Sequence, residues 1–337
     1  MSSKTYQRVV LASRPEGAVQ PSNFRLEQVP VPTPGPGEVL VRNHFLSLDP
    51  YMRGRMIEAK SYAQPHPIGE TMLGATVGVV EASNSPDFKP GDTVLGFFGW
   101  QEYGLSNGRG LTKVDTARVP MSAYLGVLGM PGVTAWYGLK QICTPKSGET
   151  VLVSAASGAV GSAVGQLAKM TGCHVVGIAG GAEKCAYVTG ELGFDACLDH
   201  RKHTDVRSMS RALKEAAPNG IDAIFENVGG VGLDAALTRL NGFARIALCG
   251  LIAGYDGQDI PINNVRALLV SRVTLRGFIV SEHLEFWPQA LQELAQGVAT
   301  GRIKYRESVA QGLPAAPEAF IGLLAGKNFG KQVVKLV

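Results

Sequence analysis

The chain has 337 residues, 45% hydrophobic and 18% charged, with a net charge of +4, enough for about two domains with a large core. The excess charge is mild and scattered and there is no basic run, which argues against a nucleic-acid partner. No apolar stretch reaches membrane-spanning length, the first residues lack a signal-peptide core, and the five cysteines (Cys143, Cys173, Cys185, Cys197, Cys249) show no CxxC spacing; a cytoplasmic protein with reduced thiols and no membrane contact is expected.

Residues 1–122 read as a mostly-β domain. Apolar runs at 24–29, 39–45, 74–82 and 91–96 are separated by Pro/Gly punctuation, most densely at 30–38. Helical character begins near Tyr124 and continues through 133–142. The run Val151-Leu152-Val153 then reads as a buried strand, followed by a small-residue turn and a helix face (Val160, Val164, Leu167, Ala168). Further buried strands fall at 174–179, 196–200, 221–228, 244–250 and 273–280, most of them separated by helical patterns. Such alternation implies right-handed crossovers and a parallel, doubly wound sheet, a Rossmann domain over 123–300. A helix is expected over 284–300 and another over 317–324. The closing VVKLV reads as a strand that returns to the first domain, which would then comprise 1–122 and 301–337.

The turn after the first strand of this sheet is a variant dinucleotide fingerprint, Ala156-x-Gly158-x-x-Gly161. Gly158 lets a pyrophosphate approach the backbone, Gly161 lets the helix pack on the strand, and the helix start presents N–H groups to the phosphates. Ala156, Gly158, Ala159, Val160 and Gly161 are therefore cofactor-binding candidates. The second strand ends in Ala179-Gly180-Gly181, where NAD-specific sites carry an acid, so room is left for a 2′-phosphate. No thiolate/imidazole set at metal spacing is present; His44 and His66 are isolated, and no metal is expected.

Several segments together resemble the medium-chain dehydrogenase/reductase superfamily, specifically its zinc-independent branch of leukotriene B4 12-hydroxydehydrogenase/prostaglandin reductase, curcumin reductase and alkenal double-bond reductase. These are Leu46-Ser47-Leu48-Asp49-Pro50-Tyr51-Met52-Arg53, Gly129-Met130-Pro131-Gly132-Val133-Thr134-Ala135, the bend at 155–161, Phe225-Glu226-Asn227-Val228-Gly229-Gly230 and the loop at 326–330. Where zinc enzymes of the superfamily carry Gly-His-Glu, this chain has Leu73-Gly74-Ala75-Thr76. The resemblance implies a GroES-like β-barrel domain beside the Rossmann domain, and NADPH-dependent reduction of the C=C bond of an enone or enal. It implies Tyr255 as the hydroxyl on the substrate carbonyl and Tyr51 as a second hydroxyl on the substrate side. Lys184 would meet the 2′-phosphate, with His200 (followed by Arg201) where relatives carry a tyrosine. Asn227 and Asn328 would lie near the nicotinamide and its ribose, Met130 and Thr134 would border the ring, and Cys249, Gly250 and Gly330 would meet the cofactor through backbone. A homodimer paired through the sixth strand is also implied. A quinone reductase of the zinc-free branch and a nucleotide-binding protein without turnover are the competing readings.

Overall fold

A computed structural model describes residues 4–337. They form two compact units. One takes in the chain up to Gly126, Glu307–Asn328 and Gln332–Val337; the other is Val127–Arg306 with Phe329–Lys331. The divisions fall after residues 126 and 306, a few residues beyond the expected 122 and 300, and side-chain packing gives the reason. Leu125 joins Val77 and Val333 in a core cluster of the first unit. In the second, Gln166 Nε2 donates to the Lys304 carbonyl and Lys304 N donates to Gln166 Oε1, each at 2.8 Å.

The first unit opens with β1 (Thr5–Leu11), antiparallel to β2 (Phe24–Pro30). Nothing in the sequence reading marks β1. Its burial passes from exposed or half-buried at Thr5–Arg8 to three consecutive buried residues, Val9–Leu11, so the alternation that announces a strand is missing. β3 (Val39–Ser47) is followed by the short helix α1 (Tyr51–Arg55), then β4 (Thr76–Ser83), β5 (Thr93–Gly96), β6 (Tyr103–Ser106) and β7 (Thr112–Lys113). The helical character expected at 124–128 is a 3-10 turn at Met121–Leu125.

In the second unit α2 (Met130–Tyr137) runs into one π turn, Gly138–Cys143. Then β8 (Thr150–Val153), α3 (Gly161–Met170), β9 (His174–Ala179), α4 (Ala182–Gly190), β10 (Ala196–Asp199), α5 (Val206–Ala216), β11 (Ile221–Glu226), α6 (Gly230–Leu237) and β12 (Leu240–Leu248) alternate. Asp205 starts α5 by accepting a hydrogen bond from Ser208 N, and Met209 and Leu213 bury one face of it. α7 (Arg266–Val270), β13 (Thr274–Gly277) and α8 (Trp287–Ala299) complete the unit. The strand expected over 273–280 stops at Gly277 because the chain turns into 3-10 geometry at Val280–Glu282. All neighbours in the six-stranded sheet are parallel, in the order β10-β9-β8-β11-β12-β13. The order reverses between β8 and β11, and ligands of such sheets bind outside the carboxyl ends at that point.

The chain closes with β14 (Glu307–Gln311), α9 (Ala316–Leu324) and β15 (Lys331–Lys335). β15 lies between β14 and β3, with Val333 opposite Ser47 and Val334 opposite Leu46. Both valines are fully buried, so the C-terminal strand fills the core of the first unit. Among the described residues no helix is long and apolar enough to cross a membrane.

Candidate active site

The glycine bend follows β8. Gly161 is dictated by contact: a Cβ there would stand 2.4 Å from the Ala155 carbonyl oxygen, so a side chain would push α3 off the strand. Ala156, which replaces the usual first glycine, is fully buried. Its methyl lies where a Cβ on Gly177 of β9 would come within 2.8 Å, so the missing glycine has moved to the neighbouring strand. Gly158 bridges Gly330, and Gly330 N donates to the Ser157 carbonyl at 3.1 Å. Gly330 has φ +72°, and a Cβ there would meet the Arg306 carbonyl at 2.0 Å; only glycine fits. Arg306 stacks its guanidinium 3.9 Å over the Phe329 ring, and Tyr187 meets Phe329 edge-on at 4.9 Å. Ala159 and Val160 complete the turn, Val160 being the N-cap of α3.

At the switch point a buried carboxylate organises the chain. Glu226, 2% exposed, accepts through Oε1 from Ser154 Oγ (2.7 Å), Val228 N (2.6 Å) and Gly229 N (2.8 Å). Burial nonetheless holds its carboxyl above the ordinary carboxylate range. Asn227 N donates to Ser154 Oγ at 2.7 Å and Asn227 Nδ2 to the Ser154 carbonyl at 2.8 Å, which fixes the amide plane. Cys249 N and Gly250 N, just past β12, both donate to the Glu226 carbonyl. The following loop is pinned to the same segment, since Ile252 N donates to the Asn227 carbonyl and Ala253 N to the Val228 carbonyl. Tyr255 follows the 3-10 turn Ile252–Gly254. A Cβ on Gly250 would lie 3.2 Å from the Asn227 carbonyl and 3.6 Å from the Tyr255 hydroxyl. Asn227, Gly250 and Tyr255 are thus one cluster.

Two further candidates of this unit lie on α2: Met130 opens the helix, and Thr134 donates its hydroxyl to the Met130 carbonyl at 2.7 Å. The Cys249 thiol is pushed up to about 12 by burial and then by Glu226, which keeps it protonated at neutral pH. At the ribose corner, a Cβ on Gly180 would lie 2.7 Å from His200 Nε2, and Lys184 sits in the first turn of α4. Burial and the positive charge of Arg201 pull the Lys184 ammonium below its ordinary value.

Tyr51 and Asn328 belong to the first unit. Tyr51 is the first residue of α1 and packs against the apolar core around Met52, Met56 and Trp100. Its hydroxyl is buried without a hydrogen-bond partner, and burial, then the charge of Asp49, pushes its pKa far up. A neutral donor held dry without an acceptor is costly unless something else accepts from it. Asn328 ends the Gly-Lys-Asn segment immediately before Phe329. Sequence reasoning missed Ser154 and Gly177, whose signals would have been a hydroxyl at a strand end and a glycine inside a strand.

Family models match residues 7–114 (N-terminal domain of oxidoreductase) and 159–296 (zinc-binding dehydrogenase). The chain is 50% identical to the NADPH-dependent curcumin reductase of Escherichia coli, over 98% of this chain and 96% of that one. It is 41% identical to a tobacco NADP(+)-dependent 2-alkenal reductase, over 97% and 96%. The chain belongs to the zinc-independent branch of the medium-chain dehydrogenase/reductase superfamily. Its fold matches CurA from Vibrio vulnificus in complex with NADPH at TM-score 0.92 and 48% identity, covering 98% of this chain and 99% of that one. Where the superfamily's zinc enzymes place Gly-His-Glu, Gly74 lies against Leu46 and Met52, and Thr76 donates to Asn43 Oδ1 at 2.9 Å. Among the described residues no three His, Cys, Asp or Glu side chains converge as a metal site would need.

Proposed function

We propose that this chain is an NADPH-dependent reductase of the C=C bond of α,β-unsaturated ketones and aldehydes. The observation that carries this reading is the Tyr255 hydroxyl beside Gly250 and Asn227, at the carboxyl ends of β11 and β12. The relatives named for curcumin, 2-alkenal and NADPH support it. NADPH, when bound, supplies the hydride.

The residues present suit that cofactor. Ala156–Gly161 and Gly330 would hold the pyrophosphate, and Gly180, Lys184 and His200 the 2′-phosphorylated ribose. Asn227, Asn328, Met130, Thr134, Cys249 and Gly250 would frame the nicotinamide end. When hydride reaches the β-carbon of the substrate, negative charge develops on the carbonyl oxygen. Tyr255 donates a hydrogen bond to that oxygen and stabilises the enolate, and a proton then reaches the α-carbon. A phenol suits this task because it stays protonated at neutral pH. Tyr51, whose buried hydroxyl lacks an acceptor in the protein, is the second donor for substrate.

A homodimer through β13 belongs to the same reading. Thr274–Gly277 is exposed at the edge of the sheet, and Leu269 (79% exposed) and Val270 (57%) precede it. Following NADPH oxidation with an enone, a quinone or an alkanal, with product identification, tests the activity. A saturated ketone supports the proposal; a hydroquinone, an alcohol or no oxidation refutes it. Light scattering in solution decides the dimer.

A further inference from the structure

We infer that Asp234 is a positioning residue for Tyr255: it anchors the far end of the segment, residues 251–264, that carries the phenol. The inference rests on the proposed reductase function and names what holds its donor in place. The near end of the segment is fastened just after β11, where Ile252 N donates to the Asn227 carbonyl at 3.3 Å and Ala253 N to the Val228 carbonyl at 3.0 Å. Tyr255 follows at once, and its N–H donates to the Ile252 carbonyl at 3.2 Å. Residues 256–259 then run exposed.

The far end is held by a carboxylate of α6. Asp234 lies in that helix among Leu233, Ala235 and Ala236, which pack into the core, and it is only 3% exposed. Both of its oxygens are turned to the segment. Oδ1 accepts from Asn263 N at 2.9 Å and from Asn264 N at 3.2 Å, and Oδ2 accepts from Asn263 Nδ2 at 2.6 Å. Asn264 Nδ2 returns a bond to the Asp234 carbonyl at 3.0 Å. A carboxylate accepts more strongly than a neutral group, and burial keeps water from competing for the same donors.

Between the two anchors Ile260 folds back. A Cβ on Gly254 would lie 3.2 Å from Ile260 Cγ1, and one on Gly229 would lie 3.3 Å from Ile260 Cδ1. Ile260 thus fills the space beneath the 3-10 turn that ends at Tyr255. Releasing Asn263 and Asn264 would loosen Ile260 and with it the floor of that turn. Both anchors sit on one continuous stretch, from the end of β11 to α6, so the segment closes on a well-packed base. Closure at both ends removes most of the positions that its tip could sample. A hydroxyl must lie within hydrogen-bond reach of the oxygen on which charge develops, and a displacement of about 1 Å can cost on the order of a hundredfold in rate.

Steady-state reduction of an enone by Asp234→Ala, Tyr255→Phe and the double variant tests this, with NADPH affinity and thermal unfolding measured alongside. Asp234→Ala should lower kcat by roughly tenfold or more while NADPH affinity holds. In the Tyr255→Phe background the same change should cost kcat nothing further, because the hydroxyl it positions is gone. Asp234→Asn, which keeps one acceptor oxygen, should recover part of the rate. A merely structural loss would slow both backgrounds by the same factor; that result, or an unchanged kcat in Asp234→Ala, would overturn the assignment. If Asp234→Ala does not fold, Asn263→Ala removes only the Nδ2 donor of an exposed residue and carries the same cycle with a smaller effect. Hydrogen exchange across 251–264 reads the anchor without turnover. It should quicken in Asp234→Ala and keep the wild-type rate in Tyr255→Phe; unchanged exchange in Asp234→Ala would also overturn the assignment. A wild type whose exchange responds in this way but which makes no saturated ketone would instead overturn the reductase function, and the catalytic consequence with it.

Discussion

The carboxyl edge of the six-stranded sheet holds two corners built on opposite principles. At the Ser154–Glu226–Asn227 corner one buried carboxylate oxygen takes three hydrogen bonds, and the backbone after β12 is fastened to the same residues. At the Gly180–Arg201 corner, the His200 and Arg201 side chains lie against a half-buried glycine pair, and the Arg201 charge reaches Lys184. The first corner is hydrogen-bonded within the protein, and on the proposed function it is where geometry must be fixed before hydride moves. The second gathers basic side chains around a glycine pair, which the proposed 2′-phosphate contact would need.

Breaking the first corner should have the largest effect. Glu226→Ala strips the acceptor from Ser154 Oγ, Val228 N and Gly229 N, and at about 1–3 kcal/mol for each stranded donor a loss of roughly 3 kcal/mol or more is expected. Urea unfolding would measure it; a change within error would show that water or a rearranged backbone replaces the carboxylate. The same residue predicts a pH dependence. Its folded pKa lies above the ordinary 4.5, so the folded protein holds a proton that the unfolded chain releases. That contribution is complete below 4.5 and is lost as pH rises toward the folded value. The stability of the wild type relative to Glu226→Gln should therefore fall as pH rises above 4.5; a flat difference would contradict the shift.

Tyr255→Phe comes next. Removing the hydroxyl proposed to donate to the enolate oxygen should lower kcat by about a hundredfold with NADPH affinity unchanged, read by steady-state kinetics and direct titration. The second corner responds to salt. Raising ionic strength from about 0.1 M to about 1 M shortens the screening length from roughly 10 Å to 3 Å, so NADPH affinity should drop far more than NADH affinity. Equal losses would mean that the basic cluster does not read the extra phosphate. The smallest effect belongs to Cys249→Ala. Its thiol is held protonated, so activity should be nearly unchanged, and iodoacetamide at pH 8 should leave the wild type active.

The two corners also differ in how far the amino-acid order reveals them. The glycine bend and the strands that carry it are legible because each depends on local rules, apolar runs and small residues at a turn, whereas Asn227 and Tyr255 are picked out by the family resemblance. The compensation of Ala156 by Gly177 is not, since the two residues meet only across paired strands. The link that Asp199 Oδ1 makes by accepting from both Gly181 N and Arg201 N is equally hidden, because those two residues sit on turns twenty positions apart. β1 is hidden for a different reason: three consecutive buried residues, Val9–Leu11, follow four exposed or half-buried ones, so no period-two pattern forms. The strand expected at 273–280 outruns the observed Thr274–Gly277 because apolar content continues through Phe278, Ile279 and Val280 after the backbone has left the sheet.

The most direct test follows the hydride itself. With NADPH carrying deuterium at the transferred C4 position and an enone as acceptor, proton NMR of the product should show deuterium on the β-carbon and a solvent proton on the α-carbon. Deuterium on the former carbonyl carbon, in an allylic alcohol, would contradict the account.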